Sequence, residues 1–432
     1  RRTLLQTLAK GAVATAIPTW FVAESAAAEA ELSRQRKFGP NDTIQIACIG
    51  PGGPLGGYRQ GFGDTMHLRN KPGVKVIAVC DVDQTHVDWA AQQFGPDCAK
   101  YKDFRDLLRD RRIDAVVIGT PDHWHSEIAI AAAQAGRDIY CEKPLTLAIQ
   151  EGRDIANAAS KHKRVFQTGS QQRSDARFRL ACELVRNGRV GKLLKVTTHL
   201  PTGPVGGPYE VKPVPANLDW NMWLGPAPMT DYIPERVHGN FRWWLEYSGG
   251  MLTDWGAHHN DIAQWALGMD DSGPISVEGT AKSPPMAGNH YYNTFPEFEI
   301  RYRYANGVPL VCTNTGENGI MFEGDAGWIF VSRSRIGASD KKLLDEPLPS
   351  TATKLYLSND HGQNFLDCMR SRQQPICNAE VGHRSATVCH LANISLMLNG
   401  RKLEWDPKRE MFPKDAQAQE MVARPHRRWD KV

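Results

Sequence analysis

Over residues 44–167, short apolar runs alternate with stretches whose apolar positions recur at helical spacing. Residues 44–49, 74–80, 114–118, 138–141 and 165–167 read as buried strands. Helical patterns cover residues 85–94, 124–135 and about 147–162. Such alternation predicts βαβ units and a parallel sheet, because parallel neighbours need a crossover and its helix covers the sheet. After about Ser170 the pattern changes. A helix is expected over residues 176–187, closed by Gly188, then a β-branched strand over 193–200. A Pro- and Gly-rich excursion over 201–234 predicts no element beyond loop. Further strands are expected near 275–280, 297–304, 309–313 and 327–331, and late helices over 359–371 and 384–399. The second region is therefore α+β with a largely antiparallel sheet.

The 432 residues suit two domains. The expected division is a leader over 1–30, a linker over 31–42, a nucleotide-binding domain over 43–169, a second domain over 170–405 and a tail over 406–432. The leader rests on Arg1-Arg2, an apolar Ala-rich stretch from Leu8 to Val22, and small residues at 25–28 and 30. Paired arginines suggest the twin-arginine route, hence export, in a bacterium to the periplasm. No other stretch approaches the ~20 apolar residues of a membrane span. With 52 basic and 48 acidic residues, the net charge of +4 calls for neither nucleic acid nor an anionic membrane. The basic stretch 424–429 reads as a solvated terminus. Nine cysteines show no paired spacing, and Cys48, Cys80 and Cys141 read as small core hydrophobes.

Five elements carry chemistry. The first strand runs into Gly50-Pro-Gly52-Gly53-Pro-Leu-Gly56, a glycine-rich turn that lets backbone approach a pyrophosphate. Its third glycine stands one residue late. The second strand ends at Asp81, whose carboxylate suits the ribose hydroxyls of NAD and repels the extra phosphate of NADP; a helix N-cap is the alternative. The third strand leads into Thr120-Pro121-Asp-His123-Trp-His125, a loop placed to border a cofactor. Two histidines without a third ligand make no zinc site, so no metal is expected. The fourth strand ends Glu142-Lys143-Pro144; a strand-end lysine before proline is extended and can aim its ammonium into the cleft. Last, Asp254 and His258 stand four apart on one helical face, which Asp261 and Trp265 continue. A carboxylate beside an imidazole orients it and favours its protonated form. A capped helix with packed histidines is the competing reading.

Together these motifs resemble the Gfo/Idh/MocA oxidoreductases, above all in Glu142-Lys143-Pro144 and Asp254-x-x-x-His258. The segment from Phe241 to Gly268 and the ending Ala423-Arg-Pro425 look like a leader-bearing bacterial branch. The resemblance implies an N-terminal Rossmann domain, a C-terminal domain with a large open sheet, and a homodimer or homotetramer. It implies Lys143, Asp254 and His258 as the catalytic group. His258 would be the general base, Asp254 its orienter, and Lys143 the hydrogen-bond donor to the reacting oxygen. Cofactor contacts are expected from Gly50, Gly52, Gly53, Gly56, Asp81, Thr120, Pro121, His125, Glu142 and Lys143. Substrate contacts are expected from Arg173, Trp243 and His259. Six tryptophans cluster over residues 220–265, their faces suited to sugar C–H groups, though core packing accounts for most of them.

The function so implied is hydride transfer between a sugar or polyol carbon and a tightly bound NAD, NADP being less suited. Two alternatives stand beside it. One is a redox-neutral glycosidase that oxidises, eliminates, adds water and reduces again. The other is a non-catalytic NAD-binding sensor, against which the intact Lys143, Asp254 and His258 argue.

Overall fold

The computed structural model describes residues 17–35, 43–54, 58–283, 288 and 290–429. The expected leader lies outside the described residues up to residue 16, and so does Gly56. The chain enters through α1 (Thr19–Gln35). It then builds β1 (Ile44–Ile49), α2 (Gln60–Arg69), β2 (Val74–Cys80), α3 (Gln84–Phe94), β3 (Ala99–Tyr101), α4 (Phe104–Arg109), β4 (Ala115–Ile118), α5 (His125–Gln134), β5 (Asp138–Cys141), α6 (Ile149–Lys161) and β6 (Phe166–Thr168). The six strands form one parallel sheet in the order β3-β2-β1-β4-β5-β6. Strands β4 and β5 are buried along their whole length, and apart from Asp138 at the start of β5 they read as apolar runs. The pair β3 and α4 escaped the sequence reading. Three residues of strand, none fully buried, carry no apolar run to detect.

The second unit begins with α7 (Ala176–Arg186), β7 (Leu193–His199), α8 (Trp220–Leu224) and α9 (Met251–Leu267). Strands β8 (Ser276–Ser283), β9 (Glu297–Arg303), β10 (Pro309–Thr313), β11 (Gly319–Gly324), β12 (Gly327–Val331) and β13 (Ile336–Ala338) follow. The chain ends with α10 (Lys342–Asp345), α11 (His361–Ser371), α12 (Ala379–Met397), β14 (Leu403–Glu404) and α13 (Ala416–Glu420). The eight strands are ordered β13-β12-β11-β7-β10-β9-β8-β14. Only β7 and β10 pair in parallel. Apolar residues of α7, α9 and α12 share a core with the inward residues Ile300, Leu310 and Phe322 of the sheet. All nine cysteines are buried and free.

Three segments tie the units together. Helix α11 sends Phe365, Leu366 and Met369 into the core of the first sheet, beside Ile46 and Val117. The excursion after β7 returns across the first unit: Gln84 N donates to Asn217 O at 2.8 Å, and Asp219 N to Val82 O at 3.0 Å. The tail also returns, which corrects its reading as a solvated terminus. Trp429 packs on Trp124 with centroids 4.8 Å apart, Arg424 Nε donates to Glu151 Oε1 at 2.6 Å, and Arg427 Nη1 to Asn221 Oδ1 at 2.6 Å. Its arginines read as solvated only while their partners, far off in sequence, are unknown. Helix α1 docks on the second unit, burying Phe21 in its core under the Arg179 guanidinium. No helix among the described residues is long and apolar enough to cross a membrane.

Candidate active site

The order of the parallel sheet reverses between β1 and β4, and a crevice opens there beyond the carboxyl ends of the strands. Gly50, directly after β1, has φ +75°, and a Cβ there would stand 2.6 Å from Thr120 N. Gly52 has φ +68°, and a Cβ would strike Tyr58 O. Only glycine fits these positions, and the bare backbone lines the crevice. Helix α2 starts at Gln60 with no side-chain cap and no acidic residue in its first turn, so its positive end remains available to an anion. The close-packing glycine of this motif is Gly61. A Cβ on it would strike Gly50 O and approach Gly119 Cα to 3.2 Å. The sequence reading stopped too early because the loop before α2 is long.

Asp81 lines the crevice. Its Oδ1 accepts from Asp83 N at 3.0 Å, and His86 Nδ1 lies 3.5 Å from Oδ2. The N-cap of α3 is Asp83, whose Oδ1 accepts from Thr85 N, so Asp81 is free of that duty. Burial lowers the pKa of His86, but the Asp81 carboxylate outweighs it and the net shift is upward. Thr120 and Pro121 also line the crevice, and Leu218 and Trp223 of the excursion, with His238 and Phe241 just after it, roof it. The glycine cradle, the open helix end and the Asp81 carboxylate fit a dinucleotide.

Lys143 stands where this crevice meets a second, polar cleft of about 590 Å³. The Lys143–Pro144 peptide bond is cis. The lysine Nζ donates to Asp254 Oδ1 at 2.6 Å and to Asp254 O at 3.1 Å, although 111 residues separate the two in sequence. Arg242 Nε lies 3.5 Å from the same Oδ1, and its guanidinium covers and hydrogen-bonds Tyr58. Burial would raise the pKa of Asp254; the Lys143 and Arg242 cations outweigh it and hold the carboxyl below its usual range.

His258 also lines the polar cleft, 7% exposed. Among the described residues its Nδ1 has no hydrogen-bond partner, so Asp254 does not orient it as expected; the lysine and arginine have taken the carboxylate. Burial first, then the cations Lys143 and Arg333, push the imidazole pKa well down. The ring is neutral at pH 7, which suits a proton acceptor better than the protonated form the sequence suggested. Behind Lys143, Glu142 accepts from Lys143 N at 3.2 Å and from Gln171 Nε2 at 2.9 Å. Burial, then the nearby Glu142, raises Asp64 well above a normal carboxyl. Asp122 is held by Ser248 Oγ at 2.5 Å, and burial lifts it to about 7.

Several expected contacts lie elsewhere. Arg173 is 1% exposed and locked to Asp261 and Asp270, so it braces the second unit and does not reach the cleft. His259 is buried with Nε2 2.8 Å from Asn318 Oδ1, and Trp243 packs against the core of the second unit. His125 is turned from the crevice, its ring nitrogens 2.9 Å from Pro144 O and 3.0 Å from Thr120 O. It joins the Thr120 loop to the lysine loop. A Cβ on Gly53 would strike the His86 ring, so this glycine accommodates the histidine. Among the clustered tryptophans, Trp255 lines the polar cleft and Trp223 the crevice, while Trp220, Trp243, Trp244 and Trp265 are packing residues. Tyr58, Asp64, Arg242 and Arg333 were missed, because each reaches the site only through the tertiary fold; Asp122 lay within the expected Thr120 loop but was not singled out.

Comparison with known proteins agrees with this architecture. Residues 45–170 match the model for an oxidoreductase family NAD-binding Rossmann fold, and residues 182–431 match its C-terminal alpha/beta domain. The scyllo-inositol 2-dehydrogenase (NAD(+)) of Bacillus subtilis is 25% identical over 387 residues, covering 84% of this chain and 98% of its own. An uncharacterized oxidoreductase of that organism, YrbE, is 27% identical over 223 residues, covering 50% of this chain. The myo-inositol 2-dehydrogenase of Thermotoga maritima is 29% identical over 211 residues, covering 48%. The match spans 54% and 52% of those last two relatives, about half their length. Among solved structures, the aldose-aldose oxidoreductase of Caulobacter crescentus superposes with a TM-score of 0.63 at 18% identity, covering 84% of this chain and 99% of that one. A levoglucosan dehydrogenase complexed with NADH and L-sorbose gives 0.60 at 18%, with the same coverage. The chain belongs to the Gfo/Idh/MocA oxidoreductase family, with an NAD(P)-binding Rossmann domain and a C-terminal alpha/beta domain.

Proposed function

We propose that this protein oxidises or reduces a CH–OH carbon of a sugar or polyol, using a tightly held NAD. The observation that carries this reading is Lys143, which lines both the dinucleotide crevice and the polar cleft. A hydroxyl placed there meets the ammonium and a neutral His258 within one cleft. A bound nicotinamide supplies the hydride acceptor, or the donor in reverse. The remaining work falls to the protein. Lys143 donates a hydrogen bond to the reacting oxygen and stabilises charge developing on it. His258 accepts the hydroxyl proton. Asp254 holds the lysine in place, and Arg242 holds the same carboxylate. The names of the relatives, an inositol dehydrogenase with NAD(+) and a dehydrogenase complexed with NADH and L-sorbose, support the substrate class and the cofactor.

Tight retention is supported by the excursion that roofs the crevice and is pinned at Asn217 and Asp219. Export by the twin-arginine route belongs to the same reading, since that route carries folded proteins and a held cofactor would travel along. The test is to purify the protein without added nucleotide, record its spectrum and identify any small molecule that acid releases. Stoichiometric NAD or NADH is the expected result. A protein that neither carries nor binds nicotinamide nucleotides would overturn the proposal. With a substrate found, Lys143→Met and His258→Ala should each lower turnover about 10²- to 10⁴-fold, and His258→Ala should leave nucleotide binding intact.

A further inference from the structure

The polar cleft beyond Lys143 is lined by four carboxyl groups, Asp64, Glu142, Asp175 and Asp254, and by three cations, Lys143, Arg177 and Arg333. Lys143 is matched by Asp254, and Arg177 Nη2 meets Asp175 Oδ2 at 2.5 Å. Arg333 lines the same cleft from the turn between β12 and β13 and has no such match. Among the described residues no carboxylate pairs with its guanidinium and no acceptor takes a hydrogen bond from it. Asp254, Glu142 and Asp175 act on it electrostatically without a direct pair, and its guanidinium carbon stands 4.5 Å from the ring centroid of Trp255. Arg335, two residues on, is fully engaged with Glu317 at 2.9 Å. The turn itself is fastened: Ser332 N donates to Arg335 O at 2.8 Å, and Ser332 Oγ lies 2.9 Å from Ser334 Oγ.

A guanidinium held over an indole face, with no acceptor among the described residues on its N–H groups, keeps its fork free. That fork matches the two oxygens of a carboxylate. Trp255 lies between Asp254 and His258 on α9, so the free fork and the candidate catalytic groups open into one space. At about 590 Å³ that space falls within the usual range for small-molecule sites. We propose that Arg333 anchors a carboxylate, and that the preferred substrate is a sugar acid, an aldonate or uronate, rather than a neutral sugar. This rests on the oxidoreductase reading of the same cleft.

The experiment uses the full chain loaded with NAD. Binding of D-gluconate, D-glucuronate, D-glucose, myo-inositol and glucose 6-phosphate is measured by calorimetry, and nicotinamide reduction is followed by absorbance with each. At least one acid is expected to bind about tenfold or more tightly than the neutral compounds. Arg333→Gln should weaken that acid about 10- to 100-fold and shift neutral compounds by less than about threefold, and Arg333→Lys should restore part of the loss. Equal loss for acids and neutral sugars, no preference for an acid, or a preference for the phosphate would each overturn the assignment. Arg333-dependent acid binding with no change in nicotinamide absorbance under any condition would uphold the anchor and defeat the oxidoreductase reading instead.

Discussion

Arg173 separates two readings of one residue. The sequence made it a substrate contact, whereas the structure makes it a brace. Its guanidinium is 1% exposed, and its Nε and Nη2 reach both oxygens of Asp261, itself 0% exposed, at 2.8–3.0 Å. Two further bonds, at 2.7 and 3.1 Å, run to the half-buried Asp270. Arg173→Met removes the cation but keeps much of the volume. Asp261 is left in a dry interior with Ser385 Oγ, at 2.5 Å, as its remaining side-chain donor. Breaking a buried pair from one side costs about 3–5 kcal/mol, because the uncompensated charge stays buried. At about 2–4 °C per kcal/mol for a domain of this size, the thermal midpoint should fall by roughly 6–20 °C. Arg173→Met with Asp261→Leu removes both charges and should recover at least half of the loss. The assay is a thermal melt of the protein freed of nucleotide, followed by near-UV circular dichroism. A single variant that melts within about 2 °C of the parent would refute the brace. Lost substrate binding alongside an unchanged melt would reinstate the sequence-based role.

Other consequences follow from the same geometry. Gly50→Ala puts a methyl 2.6 Å from Thr120 N at φ +75°, and nucleotide affinity should fall at least about tenfold in a fluorescence titration; unchanged affinity would mean that this turn does not cradle the phosphates. Trp429→Ala removes a ring packed on Phe104 and Trp124, and should cost about 3 kcal/mol by urea unfolding. A cost within about 0.5 kcal/mol would return the tail to a solvated terminus. His426 lies 3.2 Å from Glu127 and 2.9 Å from Glu151, which raise its pKa from 6.5 to about 9. A folded-state pKa above the unfolded one gives stability that is complete below pH 6.5 and lost as pH rises through about 9. Melts of His426→Gln should therefore converge on those of the parent between these limits, and a constant gap would rule this linkage out.

What could be read in advance was whatever local patterning encodes. Strands β1, β2 and β5 were located to the residue, because a central parallel strand is apolar on both faces and leaves a mostly apolar run, broken only by Gln45, Lys75 and Asp138 near the strand starts. The Glu142-Lys143-Pro144 strand end and the Asp254–His258 face were legible for the same reason, since their chemistry lies within a few consecutive residues. By itself, then, the sequence determined the two-unit α/β plan and the glycine turn, and it pointed to Asp81, Lys143, Asp254 and His258 as candidates. The fold alone decided whom each of them meets. It joined Lys143 to Asp254 across 111 residues, brought Arg242 to the same carboxylate, and left His258 neutral. It buried Arg173 and drew the tail and the excursion back over the first unit. The physical reason is that ion pairing and desolvation depend on distance through space and on excluded water, and neither quantity is written in the order of residues along the chain.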